Sequence, residues 1–214
     1  MATKKSITTI LERLDEHYGK EFMCYLNYTP GRDYELLFAT IMSAQCTDDR
    51  VNMVTKELFA KYTSLKDYLE VPLSELEDDI HSTGFYHNKA KSIQNSARIL
   101  LEKYNGELPR TIDEMTELPG VGRKTANVAL GHLYDIPGII VDTHVKRISG
   151  KLGITKETDP VKIEKDLEKK LPKEHWLRYN TQIIAHGRTI CKARNPKCGE
   201  CFLLSECPWG KAKI

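Results

Sequence analysis

TIDEMTELPGVGRKTANVALGHL, residues 111–133, is the stretch around which the rest of this chain is read. Thr111 followed by Glu114 is a capping-box pattern, so a short helix starts there. It stops at Leu118-Pro119-Gly120-Val121-Gly122. Two glycines permit a tight turn and let the backbone approach a partner with no Cβ in the way. A second helix follows, with Ala126, Ala129, Leu130 and Leu133 on its inner side. The first N–H groups of that helix have no partner within it and point out beside the glycines. Free amides and the positive helix end make a phosphate site, to which Arg123 and Lys124 add full charges. Gly-x-Gly alone would read as an ordinary helix–turn–helix corner. Pro-Gly-Val-Gly-Arg-Lys between two well-marked helices favours the anion site.

The same helical period runs through the chain on both sides. Ile7, Ile10, Leu11 and Leu14 follow i, i+3, i+4, i+7, as do Tyr34, Leu37, Phe38 and Ile41. Val51, Val54 and Leu58 repeat it, and so do Ile93, Ala97, Leu100, Leu101 and Tyr104. Asp159 is placed to cap a helix with Pro160 at its first position, which would align Val161, Glu164, Leu167 and Leu171. Trp176, Tyr179, Ile183 and Ile184 mark another. Only GIIV, residues 138–141, is a possible strand. The fold class is all-α, with short helices joined by short loops.

Composition sets outer limits. Charged residues make up 29% of the 214, the formal charge is +2, and aliphatic residues are plentiful, which describes a folded globular chain. MATKKSITTI lacks the apolar run of a secretory signal, and LFATIM and GIIV are too short to span a bilayer. A cytoplasmic protein is expected, and in that reducing compartment clustered cysteines bind metal rather than pair as disulfides. Four of the six cysteines, Cys191, Cys198, Cys201 and Cys207, are spaced C-x6-C-x2-C-x5-C, and Pro208 follows the last. Structural zinc sites usually bring two C-x2–4-C knuckles, and only Cys198 and Cys201 form one here. The spacing therefore favours an iron–sulfur cluster and leaves zinc open. Cys24 and Cys46 stand alone in apolar surroundings and read as buried core residues.

LPGVGRKTA, the VDTHVKRI that follows it, SAQCTDDRVN, TGFYHNKA and the C-terminal cysteine loop together resemble the endonuclease III family of DNA glycosylases over nearly the whole chain. The resemblance implies a helix-hairpin-helix motif at 111–133 within a six-helix barrel spanning 26–136. It implies a discontinuous domain of 1–25 and 137–214 that carries a [4Fe–4S] cluster on the four cysteines. It further implies a bifunctional glycosylase and abasic-site lyase, a monomer, acting on oxidised or ring-saturated pyrimidines in duplex DNA. Such an enzyme flips a nucleotide out of the duplex and attacks C1′ with an amine. Lys124 matches the family's catalytic lysine; the helix start, Arg123 and partial burial would all favour its neutral form. Asp142 matches the catalytic aspartate and is also a natural cap for a helix beginning at Thr143. His144, one turn on, reads as a packing residue. Gln45 matches a residue that enters the duplex, and Phe85 stands where the family's intercalating wedge, often leucine, is found. Gly120, Gly122 and Arg123 would meet phosphate at the hairpin, and Lys192, Arg194 and Lys197 would meet it from the cysteine loop.

Two other readings share these parts. An adenine-mismatch glycosylase has the hairpin and the cysteine loop, but it lacks the lysine and uses a glutamate about one turn before the glutamine. Here that neighbourhood is Ala39-Thr40-Ile41-Met42. A non-catalytic DNA-binding module stapled by metal would not need Lys124 and Asp142.

Overall fold

The computed structural model describes residues 2–22 and 24–214. It is built of α-helices, short 3-10 turns and loops, with no β-strand among the described residues. The chain divides into two compact units, Cys24–Ile136 and Met1–Met23 with Pro137–Ile214.

The Cys24–Ile136 unit holds α2 (Asp33–Met42), α3 (Asp48–Lys61), α4 (Leu65–Glu70), α5 (Leu73–Asp79), α6 (Tyr86–Tyr104), α7 (Ile112–Glu117) and α8 (Arg123–Tyr134). α2 is its centre: every residue from Tyr34 to Met42 is buried, so apolar residues lie on all its sides, with Glu35 and Thr40 the polar exceptions. Phe38 and Tyr68 meet edge to face, and Ile93, Ala97 and Leu100 of α6 complete the core with Met115, Ala126, Ala129 and Leu130. The buried Glu35 pairs with Arg32 at 2.8 Å and accepts from the Thr29 N–H, fixing the entry to α2. Cys24 and Cys46 are half-buried against this core rather than within it.

The other unit joins α1 (Lys4–Tyr18) to α9 (Thr143–Lys151), α10 (Pro160–Lys170), α11 (Trp176–Thr189) and the short α12 (Pro208–Lys211). Ile10 and Leu14 of α1 pack with Val145, Ile148, Leu167, Tyr179 and Ile183. Asp159 caps α10 through the Lys162 N–H at 3.0 Å, with Pro160 in its first turn, as the sequence predicts. The inner face of α10 differs from the expectation. Glu164, Leu167 and Leu171 are buried as expected, but Ile163 joins them and Val161 is exposed, because the side of α10 that meets Ile10, Leu14, Tyr179 and Ile183 is centred on Ile163 and Leu167. GIIV forms no strand: Ile139 and Ile140 are buried, and the Ile140 carbonyl is met by the Asn180 side chain instead of a neighbouring strand. No helix among those described is long and apolar enough to cross a membrane.

Candidate functional site

The hairpin is built by α7 and α8. Thr111 caps α7 through the Glu114 N–H at 3.3 Å. The Glu114 carboxylate accepts from the Thr111 hydroxyl at 2.6 Å, so the expected reciprocal box is closed through the side chain. Leu118 and Val121 are buried and anchor the turn, and Ser96 of α6 donates to the Pro119 carbonyl at 3.1 Å. The two glycines have different reasons. Gly120 has φ +78°, and a Cβ there would lie 2.8 Å from Ser92 Cβ, so the protein itself requires glycine. Gly122 has an ordinary extended conformation, and a Cβ there would meet nothing within 4 Å. Nothing in the folded chain demands a glycine at 122.

Gly122 is the N-cap of α8, and the first helical bond runs from the Ala126 N–H to the Gly122 carbonyl. The N–H groups of Arg123, Lys124 and Thr125 therefore lie ahead of the intrahelical ladder, at its positive end. Lys124 is exposed at the second position of α8, which corrects the expectation of partial burial. A residue at that position of an N-terminal turn points away from the core face formed by Ala126, Ala129 and Leu130.

Two more of the expected contacts sit in the same unit. Gln45 ends the turn after α2 and Phe85 is the N-cap of α6; both are exposed, and both are left-handed, with φ 55° and 51°. Phe85 is 65% exposed, so its ring is not packed into the core. A buried lysine that the sequence reading passed over, Lys89, lies beneath both turns and donates to the carbonyls of Met42 and Thr83 at 2.8 Å each.

Asp142 belongs to the other unit. It caps α9, its Oδ1 accepting from the Val145 N–H at 2.7 Å, and Oδ2 takes no part in that bond. Its place is set from behind by the buried Ile139 and Ile140 and by the Asn180–Ile140 bond. His144 packs α9 onto α11, where a Cβ on Gly187 would collide with its Nδ1. Burial holds the His144 pKa below the usual value, against the pull of Asp142. This fits a packing residue.

Cys191, Cys198, Cys201 and Cys207 line one common space, and none is in a disulfide. Among the described residues no three His, Cys, Asp or Glu side chains converge closely enough for a single ion. Four thiols lining one space are a donor set that can hold an iron–sulfur cluster. Donors already face the sulfurs. The Gly210 N–H points at Cys207 Sγ from 3.2 Å, and His186 Nε2 lies 3.6 Å from Cys201 Sγ. Burial pulls the His186 pKa down to about 4, so at neutral pH the ring carries one proton. Tyr18 Oη lies 3.1 Å from Nδ1; if the phenol donates there, the ring proton sits on Nε2 and faces the sulfur. Neither Tyr18 nor His186 was legible as a partner of the cysteines, since the contact joins α1 to the end of α11. Burial also pushes the Cys191 and Cys201 thiols up, and Cys198 and Cys207 add to the rise of both.

Lys192, Arg194 and Lys197 are all exposed on the turn between the first two cysteines. The turn is closed by the Lys192 and Lys197 N–H groups, which share the Ile190 carbonyl at 3.0 Å, and Arg147 holds the Cys191 carbonyl at 2.8 Å. The Lys197 ammonium is paired with Glu200 at 3.2 Å, which leaves less of its charge for a partner.

Known proteins resemble this chain over its whole length. Residues 38–173 match the model of the HhH-GPD superfamily base excision DNA repair proteins, and residues 191–207 match the iron–sulfur binding domain of endonuclease III. The chain is 48% identical over 214 residues to the endonuclease III of Synechocystis sp., covering 99% of this chain and 96% of that protein. It is 51% identical over 181 residues to that of Bacillus subtilis, covering 84% and 83%. A solved non-covalent endonuclease III–DNA complex superposes with a TM-score of 0.90 at 46% identity, over 100% of this chain and 99% of that one. A trapped endonuclease III–DNA covalent intermediate gives 0.91 at 46% identity, with the same coverage.

Proposed function

Since the chain belongs to the endonuclease III family of HhH-GPD base excision DNA repair proteins, we propose that Lys124 is the nucleophile and Asp142 the assisting carboxylate of its reaction. The enzyme is a DNA glycosylase with abasic-site lyase activity, it acts on DNA, and its cofactor is a [4Fe–4S] cluster.

The observation that carries the assignment is the placement of Lys124 two residues after the Gly-x-Gly turn, in the first turn of α8. Amides ahead of the helix ladder hold a backbone phosphate, and the amine two residues after Gly122 is then held against the sugar of the same strand. Lys124 is exposed, so exclusion of water around its amine comes from bound DNA. The neutral Nζ attacks C1′, the C1′–N bond breaks, and the base leaves with the bonding electrons and takes up a proton. Opening of the sugar gives a Schiff base between Nζ and C1′. Loss of a C2′ proton then expels the 3′ phosphate and nicks the strand, and water releases the lysine. Asp142 offers Oδ2, the oxygen outside the cap, to positive charge developing on the sugar and to protons moving from the amine. The substrates are oxidised or ring-saturated pyrimidines, and the site of action is the cytoplasm, beside the nucleoid in a bacterium.

Cys191, Cys198, Cys201 and Cys207 are the residues that hold the cluster, and the donors facing Cys201 and Cys207 fit thiolate ligands. When bound, the cluster cross-links the C-terminal segment and so presents Lys192 and Arg194 to phosphates. Borohydride trapping on a thymine-glycol duplex tests the assignment. The native protein should give a covalent adduct, and Lys124→Ala should give none while still binding the duplex. Undiminished trapping by Lys124→Ala would place the nucleophile elsewhere.

A further inference from the structure

We propose that Lys89 is a positioning residue that fastens the turn carrying Gln45 to the turn carrying Phe85, so that both side chains meet DNA as one preset unit. This rests on the reading that Gln45 and Phe85 enter the duplex. Lys89 lies in the first turn of α6 and is only 6% exposed. Its ammonium donates at 2.8 Å to Met42, the last residue of α2, and at 2.8 Å to Thr83, the last residue of the 3-10 turn His81–Thr83. One carbonyl stands just before Gln45 and the other just before Phe85. The two turns are far apart in sequence, and this side chain bonds to both.

The chemistry argues that the bonds matter for more than packing. A buried ammonium is costly, and among the described residues the partners of this one are two neutral carbonyls and no carboxylate. Burial holds its pKa below the ordinary lysine value. A methionine or leucine would fill the same space without that cost. Gln45 and Phe85 each hold a left-handed backbone, unfavourable for a residue with a Cβ and kept only where the surroundings fix it. Local bonds close each turn by itself: Cys46 N–H to Ser43 at 3.1 Å, and Gly84 N–H to His81 at 3.2 Å. Lys89 adds the bond between them. Filling the gap left by a flipped nucleotide takes two side chains arriving from two turns at once, and presetting both lowers the ordering cost of binding.

The test is a double-substitution cycle on the cluster-loaded full chain. Gln45→Ala, Phe85→Ala and the pair are compared in the native and Lys89→Met backgrounds. The quantity read is preference for a duplex with a tetrahydrofuran abasic analogue over the intact duplex. In the native background the pair should be non-additive by about tenfold, as for residues acting through one shared structure. In Lys89→Met the preference should already be reduced, the two substitutions should become additive, and affinity for intact duplex should stay within about twofold. If Lys89→Met does not fold, Lys89→Gln, shorter and uncharged, is read in its place. Unchanged non-additivity without the ammonium would overturn the proposal and leave Lys89 as packing. If Gln45→Ala and Phe85→Ala each leave the preference of the native protein intact, the underlying reading fails and the proposal falls with it.

Discussion

Exchanging each hairpin glycine for alanine separates what the fold needs from what DNA needs. At Gly120, φ is +78°, and an alanine held in a left-handed conformation costs about 1–2 kcal/mol. Its Cβ would sit 2.8 Å from Ser92 Cβ and 3.4 Å from Ile41 Cγ2. Ser92 Cβ is fixed to the backbone of α6, so relief requires moving a helix, and such overpacking costs about 1–3 kcal/mol. The sum is roughly 2–5 kcal/mol, and at about 2–4 °C per kcal/mol for a chain of this size Tm should fall by roughly 4–20 °C. At Gly122 the backbone is extended, with φ −92° and ψ 171°, and the added Cβ enters open space. Alanine is a poorer N-cap than glycine by about 1 kcal/mol at most, a shift of about 2–4 °C. Its methyl group would, however, stand where a phosphate approaches the amides of α8. Losing an amide–phosphate hydrogen bond costs about 1.5–3 kcal/mol, or roughly 10- to 150-fold in Kd. Thermal melts followed by circular dichroism, and titrations of an abasic-analogue duplex at fixed salt, read both effects. Gly122→Ala should melt nearly as native and bind poorly; Gly120→Ala should melt early. Native affinity in Gly122→Ala would refute the phosphate approach at this turn.

Asp142→Asn should keep the α9 cap, because asparagine caps as well as aspartate, yet lower single-turnover excision by orders of magnitude; a rate within about twofold of native would leave only the capping role. Cys198→Ser should abolish the visible thiolate–iron absorption and loosen the C-terminal segment, and one zinc with no iron in the native protein would defeat the cluster reading. Joint replacement of Lys192 and Arg194 by alanine should flatten the log–log salt dependence of duplex binding by about 1.8, at about 0.9 per phosphate contact. Adding Lys197→Ala should change it little further, since that ammonium is paired with Glu200; an unchanged slope with the cluster intact would mean the loop does not touch DNA.

The sequence by itself determined the helices and the kind of protein. Periodic apolar residues, the Asp159–Pro160 start and the Thr111 cap are local signals, because a helix is made of bonds between residues three or four apart. The all-α class was readable because the period runs along the chain; the cysteine spacing, carried by one short segment, marked a metal site and left zinc open, and the resemblance to the endonuclease III family pointed to the iron–sulfur cluster. Tertiary structure decided whatever depends on a neighbour distant in sequence. Gly120 and Gly122 look alike in the sequence, and only the approach of Ser92 on α6 shows that the first serves the fold. Ile163 is buried and Val161 exposed because α10 is turned by its packing against Ile10, Leu14, Tyr179 and Ile183, which lie on other helices. GIIV has the composition of a strand, but its carbonyl finds Asn180 instead of a strand partner. Lys89 looks like one more surface lysine in TGFYHNKA, and His186 like any helical histidine. Each acquires its meaning from burial and from partners that the fold alone brings within bonding distance, Met42 and Thr83 for one and Tyr18 and Cys201 for the other.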